Sequence, residues 1–371
     1  MVDSLTDRAS ASSRTDAAPS ARSVLTMRFC RSRRIMPVSY PSDARSRANS
    51  CKVEQPEEKP VTAPPPGAEL LFAGDIFCDV IFTGVDAPSA GTEVFADGFR
   101  ISPGGVATRA VAAARAGART KLVSRLGDDP LGAHVRAVLA AEPGLDTSLL
   151  ERVPGYQSPV TVSLTGARDR SFITYQRRLG HLRLPGNLGP IGATHIGIAR
   201  GIPPWVSRLR AAGTKIFGGV GWDETGAWSP EVLDRLAEID VFVPNDVEAM
   251  RYTRTGDAVS AAKALAERVP LVVVTRGADG VVAVDSTSGT LIELPAVPVD
   301  VRDPTGAGDV FVATFMASAR HEWDLRTRLR FATLSAAISV TGLGGATSAP
   351  RPQDLAAFVA RHHPEGAWSF L

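Results

Sequence analysis

Residues 303–311 read DPTGAGDVF, a stretch with two glycines and two carboxylates at the start of a run of small and apolar residues typical of a helix. The preceding run, VPVDV, has the pattern of extended chain, so Gly306 to Asp309 would form the turn into that helix. Free N–H groups and the positive end of the dipole bind anions at a helix start, and glycine lets the backbone come close. The stretch therefore predicts a turn that binds an anionic ligand.

Two other interpretations of this turn compete. Asp303 or Thr305 could simply cap the helix, although a cap needs one polar residue and neither two glycines nor a second acid. GAGDVF also matches the first two glycines of the dinucleotide pattern GxGxxG, but Phe311 stands at the third and the stretch lies late in the chain. The sequence contains no GxxxxGK[ST], which excludes a P-loop enzyme at the level of the motif.

Outward from the turn, short β-branched runs alternate with helical patterns. The runs cover residues 120–126, 194–199, 214–220, 240–245 and 271–277. This alternation predicts a mainly parallel sheet with helices on both faces and ligands beyond the carboxyl ends of the strands. Residues 75–101 and 158–176 instead have the pattern of antiparallel strands, which predicts a small second sheet over the site, while residues 306–361 are nearly all helical in pattern.

Composition divides the chain into two parts. Residues 1–66 are rich in Ser, Arg, Ala and Pro and show no period of 2 or 3.6, which predicts a disordered extension and a folded domain at 67–371. The extension holds 11 of the 41 Lys and Arg and 7 of the 39 Asp and Glu, so the domain carries a net charge of about −2. That balance argues against a nucleic-acid-binding face, which requires clustered cations.

Cysteine and histidine usage excludes other classes. The three cysteines, Cys30, Cys51 and Cys78, lack CxxC spacing, which favours a reducing cytoplasm over a disulfide framework or a zinc site. No uninterrupted apolar stretch approaches 18 residues, so no membrane contact is expected. Three histidines without metal-ligand spacing are interpreted as structural: His134, His181 and His195.

Four further segments accompany DPTGAGDVF in a fixed order: PGGVATRAVAAARAGA, GDDPLG, VFVPNDVEA and VVVTRGADG. Together the five segments resemble those of the ribokinase-like, or PfkB-type, carbohydrate kinases, a family that includes fructokinases, minor-type phosphofructokinases and adenosine kinase. The resemblance runs through residues 68–360. It implies a three-layer α/β/α sandwich with a small β-sheet lid, and transfer of the γ-phosphoryl group of ATP to a hydroxyl group.

The resemblance also implies the catalytic roles in the opening stretch. Asp309 matches the general base of the family, which accepts the proton of the attacking hydroxyl. The amides of Gly306, Ala307 and Gly308 match the anion hole that holds the charge of the transferring phosphoryl group.

Metal binding is implied at two places. Asn245 and Glu248 match a family segment that helps to hold Mg²⁺, through water, although Glu248 could also simply lie in the first turn of a helix. Asp303 and Thr305 match the position of a monovalent-cation site in those family members that depend on K⁺.

Nucleotide binding is implied along the second half of the chain. Thr275, Arg276 and Gly277 match a turn that lines the ATP phosphates, where Arg276 could pair with phosphate or could be a solvated surface residue. Thr333 and Gly344, the latter within GLGGATS, fall where the family surrounds adenine.

The acceptor site is implied by two segments. Asp79 matches the family aspartate that binds acceptor hydroxyls, and Asp75 precedes it on the same short run. Gly104 and Gly105 match a glycine pair that lets the backbone approach the acceptor.

The acceptor site also departs from the pattern of ribokinase proper. Phe77 stands where ribokinase has an Asn, and Thr108 or Arg109 replaces another Asn, depending on where a one-residue gap falls. Ribose is therefore not a safe prediction, since Phe77 could stack on a nucleobase. Arg109 could bind a carboxylate or phosphate of the acceptor, or it could lie on a helix surface.

The partners expected from the resemblance are ATP with Mg²⁺, and a sugar or nucleoside, with K⁺ and a homodimer through the lid left open. Two alternatives to a sugar kinase remain: a nucleoside kinase of the adenosine type, and a catalytically silent regulatory member of the same fold.

Overall fold

The central sheet is built from the β-branched runs of the chain, and helices connect most of its parallel strands. The computed structural model describes residues 69–166, 170–362 and 368–371, which belong to one compact unit, Glu57–Leu371. The predicted extension, residues 1–66, lies outside the described residues. The strands are β1 Glu69–Ala73, β2 Ile76–Thr83, β3 Gly98–Gly105, β4 Thr120–Gly127, β5 Leu145–Asp146, β6 Leu150–Val153, β7 Val160–Thr165, β8 Arg170–Tyr175, β9 Ile191–Gly197, β10 Lys215–Gly219, β11 Val241–Phe242, β12 Leu271–Thr275, β13 Val281–Asp285 and β14 Thr290–Leu294. The helices are α1 Val106–Arg115, α2 Pro130–Ala140, α3 Val206–Ala211, α4 Glu231–Asp234, α5 Asp246–Thr253, α6 Ala258–Ala266, α7 Ala307–Ala317, α8 Leu325–Ser339, α9 Gly345–Ser348 and α10 Pro352–His362.

Ten strands form this sheet in the order β14-β13-β12-β11-β10-β9-β1-β4-β5, with β6 also paired to β4. All pairings from β12 through β5 and β6 are parallel, whereas β13 runs antiparallel to both of its neighbours, β12 and β14. The hairpin of β13 and β14 was not predicted from the sequence. It extends one edge of the parallel sheet, and the prediction of a mainly parallel sheet is confirmed.

Helices cover both faces of the sheet because its strands are apolar on both sides. In β12, Leu271 and Val273 pack into one buried cluster with residues of α1, α7 and α8. Val272 and Val274 pack into a second cluster with residues of α5 and α6. Successive side chains of a strand point to opposite faces, so one continuous apolar run supplies both cores. The predicted three-layer arrangement follows from this double burial.

A second sheet of four strands has the order β3-β2-β7-β8. β2 and β3 pair antiparallel, as do β7 and β8, but β2 and β7 pair in parallel. The predicted antiparallel strands at 75–101 and 158–176 thus each form a hairpin, and the parallel pairing that joins the two hairpins was not predicted from the sequence. Phe99 and Ile173 of this sheet are 57% and 67% exposed. A homodimer through this sheet stays a prediction.

The parallel strands direct the polar segments to one edge of the central sheet. The chain leaves the carboxyl end of β1 towards Asp75, that of β11 towards Asn245 and that of β12 towards Arg276. In open α/β sheets, ligands bind beyond these carboxyl ends. Among the described residues, none of the helices is both long enough and apolar enough to cross a bilayer.

Candidate active site

The start of α7 is shaped by glycine and not by a capping side chain. Gly306 occupies the N-cap position with φ of 78°, and no side chain donates or accepts a capping hydrogen bond there. A Cβ on Gly306 would lie 2.8 Å from Cα of Gly345 and 3.1 Å from Cγ2 of Thr108. Both the left-handed backbone and the close approach of a second chain segment therefore require glycine. The interpretation of this turn as a simple side-chain helix cap was wrong.

Asp303 ties the turn to a second loop. Its side chain is 1% exposed, and its two oxygens accept N–H groups from Thr305, at 2.9 Å, and from Gly344, at 2.8 Å. Gly344 has φ of 80° and immediately precedes α9. The carboxylate thus holds the loop before α7 and the loop before α9 together. A role for Asp303 and Thr305 in binding a monovalent cation stays a prediction.

Asp309 lies in the first turn of α7, three residues after Gly306. Its Oδ1 accepts a hydrogen bond from Nη1 of Arg109 on α1, and the two groups form an ion pair. The side chains are 24% exposed for Arg109 and 30% for Asp309, so the pair lines an accessible surface. Of the two residues that could replace the expected Asn, Thr108 is buried beneath Gly306, while Arg109 reaches the predicted base.

The second sheet brings Asp79 to the same place. In the hairpin of β2 and β3, Phe77 faces Gly104 and Asp79 faces Ser102. The carboxylate of Asp79 lies directly over Cα of Gly104, where any Cβ would overlap it. Burial chiefly, and then the negative charges of Asp309 and Asp303, raise the pKa of Asp79 to about 7. The three carboxylates therefore share one electrostatic environment.

Gly105 completes the glycine pair and begins α1. It has φ of 62°, and a Cβ there would lie 2.5 Å from the carbonyl oxygen of Asp75 and 2.8 Å from Cδ2 of Phe77. The carbonyl of Asp75 accepts the N–H of Val106 at 3.1 Å. The aromatic ring of Phe77 thus lies against the backbone of the predicted acceptor site.

Asn245 and Glu248 form a reciprocal pair at the start of α5. Oδ1 of Asn245 accepts the N–H of Glu248 at 2.8 Å, and Oε2 of Glu248 accepts the N–H of Asn245 at 2.9 Å. This is a capping box, which stabilises the helix end. Glu248 is 8% exposed, and burial raises its pKa to about 7. The spacing N-x-x-E therefore has a structural role, and its predicted role in binding Mg²⁺ would come in addition.

The donors around Asn245 are compatible with Mg²⁺ held through water. Within the described ranges, no group of three or more His, Cys, Asp or Glu side chains could enclose a metal ion. Mg²⁺ in nucleotide sites keeps several waters and is bound by one or two carboxylates together with phosphates, so a single carboxylate is sufficient. Glu248 supplies such a carboxylate at the edge where the nucleotide residues are predicted.

The predicted phosphate turn lies beside Asn245. Thr275 forms an isolated parallel bridge with Asn245, and its N–H donates to the carbonyl of Pro244 at 3.1 Å. Gly277 follows with φ of 54°. Arg276, by contrast, donates from Nη1 to Oε2 of Glu293 on β14 at 3.0 Å. A role for Arg276 in binding phosphate stays a prediction that requires this ion pair to open.

Thr333 on α8 is 9% exposed, and its Oγ1 is buried without a hydrogen-bond partner among the described residues. A buried hydroxyl without a partner costs free energy unless a ligand or water meets it. This observation supports the predicted position of Thr333 near a ligand without identifying that ligand.

Two further residues lie near the site: His195, which the sequence analysis interpreted as structural, and Gln176, which it did not single out. His195 on β9 lies against Gly219, whose Cβ would be 2.9 Å from Nε2 of His195. Burial, and then the positive charge of Arg109, hold the pKa of His195 well below its usual value. Gln176, after β8, donates to Oδ2 of Asp75 at 2.7 Å. Neither residue belongs to a recognisable motif, so only the tertiary structure reveals them.

Comparison with known proteins gives concordant matches. The family profile described as pfkB family carbohydrate kinase matches residues 69–185 and 207–352. A fructokinase of Klebsiella pneumoniae is 34% identical over 279 residues, covering 68% of this chain and 90% of the relative. A cytidine kinase of Thermococcus kodakarensis is 28% identical over 243 residues, covering 62% and 84%.

Solved structures agree on the fold. A protein from E. coli described as a candidate ribokinase II, in complex with ATP and Mg²⁺, has a TM-score of 0.68 to this chain. The two are 21% identical, and the match covers 80% of this chain and 100% of that chain. At this level of identity, the likeness shows the fold alone.

Proposed function

Because the chain belongs to the pfkB family of carbohydrate kinases, we propose that it transfers the γ-phosphoryl group of ATP to a hydroxyl of a sugar or sugar-like molecule. The observation that carries this proposal is that the glycine-lined start of α7, with Asp309, packs against α1, whose N-terminal glycine pair lies under the carboxylate of Asp79 from the second sheet. One carboxylate would activate the hydroxyl and the other would orient the acceptor. A catalytically silent member of the fold would need neither of these carboxylates.

The reaction divides among the residues as follows. Asp309 accepts the proton of the acceptor hydroxyl while its oxygen forms a bond to the γ-phosphorus and the bond from phosphorus to the departing ADP breaks. The amides of Gly306, Ala307 and Gly308 donate to the oxygens of the transferring phosphoryl group. Asp79 holds the acceptor, and its partly protonated state near neutral pH lets it donate as well as accept.

The remaining candidates bind the nucleotide. Thr275 and Gly277 line the phosphates, while Thr333 and Gly344 lie near the base. Mg²⁺, when bound with ATP, neutralises charge on the β- and γ-phosphates. Asn245 and Glu248 would hold it through water, and their capping box keeps the carboxylate in a fixed orientation.

A nucleoside acceptor is the second candidate. The ring of Phe77 lies against Gly105, and the cytidine kinase is among the relatives. An aromatic face at that position could stack on a base. The sugar proposal is favoured because the fructokinase match is the stronger in identity and covers more of the chain.

The test is a coupled ADP-release assay across pentoses, hexoses, sugar acids, sugar phosphates and nucleosides, followed by Asp309→Asn on the preferred acceptor. Removal of the base should lower kcat by about 10² to 10⁴-fold. Calorimetry should show unchanged ATP binding. Asp300→Asn is the matched control, since Asp300 is an exposed carboxylate on the strand-to-helix segment outside the site.

Two results would contradict the proposal. Near-normal turnover by Asp309→Asn would remove Asp309 as the base. No turnover of any acceptor by the wild type, with ATP still bound, would favour the silent alternative.

A further inference from the structure

Asp309, the predicted base, already has a hydrogen-bond partner in the structure. Nη1 of Arg109 donates to Oδ1 of Asp309, and both side chains remain partly exposed. A general base must itself reach the proton that it removes, at hydrogen-bond distance. While the pair is closed, the guanidinium holds Oδ1, and the hydroxyl can reach only Oδ2, beside a positive charge that opposes the arrival of its proton. Efficient proton abstraction therefore requires that the ion pair opens or shifts.

A neutral hydroxyl is a poor competitor for a guanidinium. Arginine binds carboxylates and phosphates through paired, charge-assisted hydrogen bonds that are about twice as strong as neutral ones. A second anion near Arg109 can therefore replace Asp309 as its partner, whereas a hydroxyl leaves the pair closed. The ion pair between Arg109 and Asp309 is therefore expected to open for an anionic ligand.

The position of Arg109 assigns that anion to the acceptor. Arg109 belongs to α1, which begins at Gly105, next to Gly104 and the carboxylate of Asp79. The predicted nucleotide residues lie on other elements, the turn after β12, α8 and the loop before α9. Arg109 therefore reaches Asp309 from the acceptor side of the site.

The charges of the site also indicate that Arg109 binds an anion of the acceptor. The negative charges of Asp309 and Asp303 act on Asp79, which lies over Gly104, so an anionic acceptor there would be repelled without a cation beside it. Arg109 supplies that cation. Its Nε is buried without a hydrogen-bond partner among the described residues, so the guanidinium is incompletely bound in its present position.

We propose that the acceptor carries a carboxylate or phosphate group, and that Arg109 binds this group and thereby releases Asp309 to accept the proton of the hydroxyl. This inference rests on the proposed kinase function and adds the substrate class. The covalent step is unchanged: the hydroxyl oxygen bonds to the γ-phosphorus, ADP leaves and the proton passes to Asp309.

The experiment measures kcat and KM for matched acceptor pairs that differ in one anionic group. The pairs are D-gluconate with D-glucitol, D-fructose 6-phosphate with D-fructose, and D-ribose 5-phosphate with D-ribose. The first pair tests a carboxylate and the others test a phosphate. The proteins are the wild type, Arg109→Gln, Arg109→Lys and Arg119→Gln. Arg119 is the control because its side chain is 70% exposed and pairs with Glu69. Both residues lie at the amino ends of the parallel strands, away from the predicted site.

The wild type should prefer the charged member of at least one pair by tenfold or more in kcat/KM. Arg109→Gln should raise KM for that member by about 10- to 100-fold, the loss expected for a hydrogen bond between charged groups. Its kcat on the neutral counterpart should rise, because Asp309 is then unpaired. Arg109→Lys should restore part of the preference, and Arg119→Gln should match the wild type. Circular dichroism verifies that each variant is folded.

Three outcomes would overturn the inference. If the wild type phosphorylates only neutral members, the kinase function stands and the anionic acceptor does not. If Arg109→Gln lowers kcat equally for charged and neutral members, Arg109 acts on the transferring phosphoryl group instead. If no acceptor is phosphorylated while ATP binds, the inference and the proposed function both fail.

Discussion

Replacement of Gly308 by alanine should raise the stability of the protein and lower its activity. Gly308 is the second residue of α7, and a Cβ built on it meets no other atom within 4 Å. The methyl group therefore fits the folded chain without overlap. Alanine in place of glycine within a helix stabilises it by about 0.5–1 kcal/mol, so the free energy of unfolding should rise by roughly that amount.

Activity should change in the opposite direction. In the proposed mechanism, the transferring phosphoryl group approaches the amides of the turn through the open space beside Gly308, to about 3 Å. A methyl group there would displace the phosphoryl oxygens by about 1 Å or more, and misplacement on that scale can cost about 100-fold in rate. We expect kcat to fall by about 10- to 100-fold.

Gly306→Ala is the contrasting variant, since its methyl group would have no room. The left-handed backbone costs about 1–2 kcal/mol for a residue with a Cβ, and overpacking against Gly345 adds about 1–3 kcal/mol. This variant should lose both stability and activity.

Urea unfolding followed by circular dichroism measures the stability of both variants, and the coupled ADP-release assay measures turnover. Wild-type kinetics in a folded Gly308→Ala protein would refute the assignment of this turn as the phosphoryl site. A less stable Gly308→Ala protein would show that the space beside Gly308 is not open in solution.

Two further predictions follow from Asp79. Its folded-state pKa of about 7 lies above the ordinary value of 3.8, so protonated Asp79 favours the folded state and this contribution is lost as the pH rises from about 4 through 7. Asp79→Asn should remove this decline, which amounts to no more than about 3 kcal/mol between pH 5 and pH 8 when the free energy of unfolding is measured by urea titration; an unchanged slope would contradict the raised pKa. Gly104→Ala should force the carboxylate of Asp79 away, raising the acceptor KM at least about tenfold and costing about 1–3 kcal/mol of stability. An unaltered KM in that variant would argue against Asp79 as an acceptor ligand.

Much of the fold was predictable because its signals are local. Apolar runs that supply two cores at once, as in β12, indicate a sheet buried on both faces. The glycine turn before Asp309 likewise indicates a helix start that approaches a ligand. The hairpin of β13 and β14 and the parallel pairing of β2 with β7 were not predicted, because pairing partners depend on tertiary packing and not on the pattern of one segment.

The site was less predictable where one motif is compatible with two roles, or where two residues in contact are far apart in the sequence. N-x-x-E is both the spacing of a capping box and that of the family segment, so the sequence alone could not distinguish the two roles of Glu248. Arg109 meets Asp309 across 200 residues, and no local pattern reports such a contact. Asp303 is of a residue type that often caps helices, yet its carboxylate also accepts the N–H of Gly344 in a different loop.

The carboxylate of Asp303 also limits how this protein can be redesigned. Because it binds the N–H of Thr305 and the N–H of Gly344, and because Gly306 and Gly345 touch through their backbones, the two loops share one geometry. A chimera that takes residues 303–308 from one kinase and residues 342–348 from another would mismatch this contact. The two segments should be transplanted as a pair, together with β3 of the second sheet, because Ser102 of that strand lies against Gly344.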